Sequence, residues 1–178
     1  PDSMLVKMKA NGGVVMVTFV NAFVSPEWAR VSGPLWKEYQ ERTQGVADPA
    51  ERQRIGREIT ARMPKVPVTI SQVADHVDHV RKVAGADHVG LGGDFDGNDS
   101  WPEGLSDVSG YPRLLAELVR RGWSDEDLGK LASGNVLRAM REAEQVARRL
   151  AAARTTPACR SGAPGARPRP PPSSRSRH

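Results

Sequence analysis

The apolar residues of this chain fall into two short continuous runs and several stripes at helical spacing. The run "VVMVTFV", residues 14–20, is apolar and largely β-branched, without alternation. A strand covered on both faces reads this way, and such strands are typical of parallel sheets. A second run, "DHVGLGGD", residues 87–94, predicts another short buried strand. Between them, "TISQVADHVDHVRKVAG", residues 69–85, puts Ile70, Val73, Val77, Val80 and Val83–Ala84 on one helical stripe, and Gly85 stops it. Ahead of the first strand, "PDSMLVKMKANGG" predicts a helix that Asp2 or Ser3 can cap and that Asn11-Gly12-Gly13 ends.

Residues 26–67 carry Pro26, Pro34, Pro49, Pro64 and Pro67. They read as an irregular excursion over the surface, with one polar helix over residues 48–62 that starts at Pro49. The last third is helical. "YPRLLAELVRRG" has Pro112 near its start and Gly122 at its end, and Ser124 and Asp127 are spaced as in a capping box. A final helix comes after, with Asn135 as its cap. Buried strands alternating with helices predict parallel βα units. Two parallel strands cannot close or cover a sheet, so further strands are expected upstream of Pro1.

Charge refines this division. The net charge of +5 arises from residues 151–178, which hold six arginines and no acid. Residues 1–150 hold 20 basic and 21 acidic residues and are near neutral. Residues 1–150 are therefore the expected globular domain. Residues 151–178, rich in Arg, Pro and Ser, are an expected disordered tail. The tail has no aromatic residue for base stacking, and no nucleic-acid partner is expected. The only cysteine, Cys159, lies there, which excludes an intrachain disulfide and a cysteine-based metal site. A reducing compartment fits, and the cytoplasm is the favoured location. The chain starts at Pro1 and shows neither a signal peptide nor an apolar run of membrane length. A fragment or processed chain is the expectation.

The chemistry concentrates where the second strand ends, in "GGDFDGNDSWPEGLSD". Asp94, Asp96 and Asn98 match positions 1, 3 and 5 of a calcium loop, but position 6 is Asp99 and position 12 is Leu105, which excludes an EF-hand. A phosphate site on the glycines is excluded by the acids beyond them. Asp94, directly after a buried strand, sits where parallel α/β proteins do chemistry. It is the candidate working group, and Asp96 and Asp99 are expected to cap loop amides. His76 and His79 alternate with Asp75 and Asp78 beside the valine stripe, and His88 precedes the strand. All three are expected to be structural.

The segments "NGGVVMVTFVNAFVS", "ISQVADHVDHVRKVAGADHVGLGGDFDG" and "PEGLSDVSGYPRLLAELVRRGWSDEDLGKLASGNVLRAMREAE" closely resemble the C-terminal third of the renal (membrane) dipeptidase family. The resemblance covers nearly all of residues 1–150. It implies an amidohydrolase-type (β/α)8 TIM barrel, of which this chain would hold the last two strands and their helices. It also implies two zinc ions and hydrolysis of dipeptides by a metal-bridging hydroxide, with tolerance for a D-residue at the C-terminal position. The family's zinc ligands, and the arginine that holds the substrate carboxylate, would lie upstream of Pro1. No metal ligand is assigned within this chain. Of the main catalytic set only Asp94 matches. Phe23 falls where some members have a tyrosine lining the substrate pocket. The partner implied is a dipeptide, with a homodimer left open for a full-length form. The alternatives are another metal-dependent amidohydrolase on the same barrel, or a non-catalytic fragment with a basic binding tail.

Limited trypsin digestion is expected to remove the tail at Arg154 to Arg177 before it cuts residues 1–150. A protected tail whose cleavage abolishes activity would identify it as structural instead.

Overall fold

The computed structural model describes residues 1–63 and 65–155. Helix α1 (Asp2–Asn11) ends at Gly12 in a left-handed conformation and leads into β1 (Val15–Thr18). The short α2 (Asn21–Val24), the long α3 (Pro26–Thr43) and α4 (Pro49–Ala61) come next. Helix α5 (Ile70–Ala84) then returns the chain to β2 (Val89–Gly93). After a loop come α6 (Tyr111–Arg120), α7 (Asp125–Gly129), a π-turn (Lys130–Gly134) and α8 (Asn135–Thr155).

The two strands pair in parallel, with Val15 opposite Val89 and Val17 opposite Leu91. The register then shifts, so that Thr18 faces Gly93 and Gly92 is the extra residue. A bulge of this kind bends a strand at its end and re-aims the side chains beyond it.

The expected TIM-barrel portion is not what the chain forms. Among the described residues there are two strands in one open sheet, and the remaining regular structure is helical. A barrel needs every strand hydrogen-bonded on both sides, and here each strand has one partner. Coverage is one-sided as well. Val17 and Val89 are buried, while Met16 and Gly92 are exposed. The unbroken apolar run of β1 had predicted burial on both faces.

Helix α5 forms the main cover. Its Val73, Ala74, Val77, Val80 and Ala84 are buried with Leu114 and Leu118 of α6. Thr69 and Gln72 close a reciprocal capping box at its start, a signal the sequence carried alongside the valine stripe. Within residues 26–67 the expected polar helix forms as α4, and the stretch ahead of it, expected to be irregular, forms the long α3. Ser25 caps α3 by accepting from the Trp28 N–H, and Asp48 caps α4 by accepting from the Ala50 N–H. Pro34 lies inside α3 without ending it. The excursion also feeds the interior, since Trp28, Ile55 and Ile59 are buried. The polar faces of α3 and α4 join through Arg42–Glu58 at 2.6 Å and Arg62–Glu38 at 2.7 Å.

Asn135 departs from its expected role as a cap. It is helical, buried, and donates through Nδ2 to the carbonyls of Ala86 at 2.7 Å and Val89 at 2.8 Å. It therefore pins the start of β2. At the N-terminal end of α1, no side chain caps the helix.

The chain divides into two compact units at Ala143/Glu144. The described part of the second unit is the end of α8, with an exposed Glu144–Arg148 pair at 3.0 Å. Residues 151–155, assigned to the tail, complete that helix, and the rest of the expected tail, 156–178, lies outside the described residues.

Replacing Asn135 with Ala leaves the buried Val89 carbonyl without its donor. Stability is expected to fall by about 1–3 kcal/mol, read from urea unfolding midpoints at constant m. An unchanged midpoint would show that the clamp contributes nothing.

Candidate functional site

The end of β2 is shaped by two glycines with separate jobs. Gly93 has φ 63°, and a Cβ there would meet the Tyr111 hydroxyl at 2.9 Å and the Phe95 ring at 3.0 Å. At Gly97 a Cβ would meet Asp94 Oδ1 at 2.6 Å. The motif "GGDFDG" therefore lets the chain turn sharply and bring Asp94 over Gly97. Asp94 itself has φ 67°, the one non-glycine residue with positive φ among those described. Its amide donates to the Gly92 carbonyl at 2.7 Å, which closes the turn. Its side chain is exposed, accepts no hydrogen bond and joins no ion pair among the described residues. An L-residue held in the left-handed region is strained.

Beneath this turn lies an aromatic cluster. The Phe19 ring stands edge-on to Phe95 at 6.0 Å and to Tyr111 at 5.7 Å, and Phe95 lies 5.9 Å from Tyr111. Partial burial raises the pKa of the Tyr111 hydroxyl. The cluster anchors the turn from below, because Phe19 continues β1 and its amide donates to the Gly93 carbonyl at 3.1 Å.

The other acids of the loop behave differently from expectation. Asp96 and Asp99 are exposed and, among the described residues, cap no amide. That work falls to Asn98, which accepts from the Ser100 N–H, and to Asp107, which accepts from the Ser109 N–H at 2.8 Å. The Ser109 hydrogen bonds hold the Asp107 carboxyl below its usual pKa.

The histidines are structural ties. His76 Nε2 pairs with the Val24 carbonyl at 3.0 Å, His79 Nε2 with Asp2 at 2.7 Å, and His88 Nδ1 with the Gly13 carbonyl at 2.8 Å. They bind three different partners and converge on no common point.

Sequence reasoning missed a cleft of about 320 Å³ beside the strand ends. It is walled by Trp28, Trp36 and Tyr39 of α3, by Gly56 and Ile59 of α4, and by Asn98–Ser100 of the β2 loop. Asn21, directly after Val20 at the end of β1, completes it. Asn21 is 7 % exposed, and its Oδ1 is buried without a hydrogen-bond partner. Leaving such an acceptor unpaired costs about 1–3 kcal/mol. Phe23, the expected pocket residue, is 68 % exposed and does not line the cleft. The signal that could have found these residues was the aromatic spacing Trp28, Trp36, Tyr39 within the supposed surface excursion.

The profile of the family described as membrane dipeptidase (peptidase family M19) matches residues 1–154. The chain belongs to this family of zinc metallopeptidases. It is 36 % identical over 146 residues to Dipeptidase 3 of Rattus norvegicus and 35 % identical to Dipeptidase 3 of Homo sapiens. That match takes in 82 % of this chain and 22 % of each relative, so the chain spans about a fifth of their length. Among solved structures it resembles the probable dipeptidase PvdM from Pseudomonas aeruginosa. There the TM-score is 0.56 and the identity 29 %, over 78 % of this chain and 39 % of that one. It also resembles a metallopeptidase from Rhodobacter sphaeroides liganded with a phosphinate mimic of the dipeptide L-Ala-D-Ala. That match has TM-score 0.50 and 25 % identity, over 75 % of this chain and 28 % of that one.

The zinc ions that membership implies find no donor set here. Among the described residues no three His, Cys, Asp or Glu side chains come together to hold a metal. Asp94 alone does not make a binuclear site. No helix among the described residues is long and apolar enough to cross a membrane.

Because glycine takes the left-handed conformation without a Cβ clash, Asp94→Gly recovers part of a penalty of roughly 1–2 kcal/mol. Stability is expected to rise by roughly 0.5–1 kcal/mol once the added freedom of the unfolded chain is counted. Chemical denaturation of both proteins measures this, and a loss would mean that the Asp94 carboxylate is structurally tied.

Proposed function

We propose that this chain serves in the hydrolysis of dipeptides and contributes Asp94 as the acid–base carboxylate of a metallodipeptidase. One observation carries the reading. In a chain that matches the dipeptidase family from end to end of its described part, the strained residue is the acid at the end of β2. Strain of this kind persists where the surrounding structure enforces it, and it concentrates at working sites.

The chemistry asked of Asp94 is a proton transfer. Water adds across the peptide bond, its oxygen to the carbonyl carbon and its proton in the end to the nitrogen. Attack needs a base for the water proton, and departure needs an acid, because an amine leaves poorly unprotonated. One exposed carboxylate with no competing hydrogen bond can do both in sequence. Zinc dependence is part of the proposal only as far as family membership supports it. The donors would have to come from outside the described residues, and no step here is drawn through the metal. The substrate class is drawn from the Rhodobacter sphaeroides relative, whose ligand mimics L-Ala-D-Ala. A dipeptide with a D-residue at its C-terminal position is the substrate we infer.

The purified chain is expected to retain less than one zinc ion and to leave L-Ala-D-Ala intact. Two bound zinc ions with turnover would overturn the assignment of the donors elsewhere. In a zinc-loaded assembly that contains this chain and cleaves dipeptides, Asp94→Asn should lower kcat by about 10² to 10⁴, the usual share of a positioned acid–base group. Zinc content should hold. Asp96→Asn, at an exposed and unpartnered position, should leave kcat and stability near wild type. A normal kcat in Asp94→Asn sinks the role given to this residue.

A further inference from the structure

An aspartate or asparagine can close a five-membered imide ring onto the backbone nitrogen that follows it. A following glycine hinders this least, because it has no side chain. The sequence offers two such pairs, Asn11–Gly12 and Asp96–Gly97. On chemistry alone the asparagine is the more reactive, since an ionised carboxylate resists a nucleophile. The structure reverses that order. Gly12 ends α1, and its N–H, the attacking group, donates to the Met8 carbonyl. Asn11 Oδ1 accepts from the Gly13 N–H at 2.9 Å. Both halves of the ring closure are engaged there, and both hydrogen bonds have to open first.

At Asp96 neither half is held. Its carboxylate is exposed, and neither it nor the Gly97 N–H has a hydrogen bond or ion pair among the described residues. The next acid of the loop differs, because the Ser100 N–H that would attack Asp99 already donates to Asn98 Oδ1 at 3.3 Å. Nor can Gly97 be exchanged for a bulkier residue. A Cβ at that position would meet Asp94 Oδ1 at 2.6 Å, closer than such atoms approach. The turn that seats the strained Asp94 therefore requires the glycine, and the glycine leaves Asp96 open to attack.

We propose that Asp96 is a site of spontaneous backbone isomerisation. The Gly97 nitrogen attacks Cγ of the protonated Asp96 carboxyl. The N–H proton and a carboxyl hydroxyl leave together as water, and a succinimide closes. Water then adds to one of the two ring carbonyls and breaks its bond to nitrogen. Opening at Cγ restores aspartate. Opening at the backbone carbonyl carbon leaves the chain running through Cβ and Cγ, as isoaspartate. The sum is one water lost and one gained, with no other reactant. The isoaspartate form has an extra methylene in the main chain between Asp94 and Gly97, so the turn no longer lays the Asp94 carboxylate over Gly97. The effect on turnover rests on the acid–base reading of Asp94; the isomerisation itself does not.

The full chain, folded and in urea, is incubated in heavy-oxygen water at neutral pH, then digested and mapped by mass spectrometry. Each passage through the succinimide leaves one labelled oxygen in the peptide that holds Asp96, and the label should enter at similar rates in both states. That peptide should also accept a methyl group from an isoaspartyl methyltransferase. Asn11 should lead in urea and slow by roughly tenfold on folding, the effect of holding its groups in hydrogen bonds. Asp96→Glu, at an exposed and unpartnered position, should abolish both signals in its peptide, because the larger ring closes far more slowly. No label at Asp96 in the folded chain, or folding that slows Asp96 as strongly as Asn11, overturns the proposal. Methyl acceptance that survives in the same peptide of a folded Asp96→Glu overturns it too.

Discussion

The parallel pairing of β1 with β2 is the constraint on which the rest of this structure depends. A parallel pair needs a long crossover, and here it spans everything from α2 to α5. With so few ladder bonds of its own, the pair is held at both ends by other means. Asn135 takes two carbonyls at the start of β2, and the Gly92 bulge with the Phe19–Gly93 hydrogen bond fixes the other end. Helix α5 lies over the buried face, with Val77 and Val73 fully enclosed. The remaining face is open at Met16.

Two features with chemical meaning arise from that pairing. The bulge and the left-handed Gly93 turn the chain so that Asp94 leaves the strand strained and unpartnered. The crossover, obliged to be long, folds into α3 and α4 and walls a cleft over the same strand ends. The acid and the cleft are thus consequences of one topological need, and both arise from segments next to the strand termini. Asn21 and Asn98 show the link, since one lies just past β1 and the other just past β2.

Family membership and the local site stand in an instructive relation. The chain carries the family's sequence over residues 1–154, while the described residues gather no metal donor set. His76, His79 and His88 are spent on carbonyls and on Asp2, where each ties two segments together. Histidine spacing on a helix is weak evidence for a metal for this reason. Nε2 and Nδ1 serve equally well as long-reach hydrogen-bonding groups.

By itself, the sequence determined what depends on neighbours along the chain. The β-branched run of residues 14–20, the valine stripe of α5, the cap at Ser124 and the helix start at Pro49 state local preferences that the fold kept. The glycines around Asp94 were legible too, because positive φ and close approach leave few other residues able to serve. What periodicity could not supply was the matching of surfaces distant in sequence. Prolines suggested an irregular excursion around the one helix at Pro49, yet Pro26 begins a long helix as well and Pro34 is tolerated within it. Burial of Trp28 and Ile59, the conversion of Asn135 from cap to clamp, and the open face of the sheet were decided only in the tertiary structure. Each depends on which partner arrives across many residues, and a one-dimensional pattern records the apolar or polar character of a position but not the surface that will lie against it.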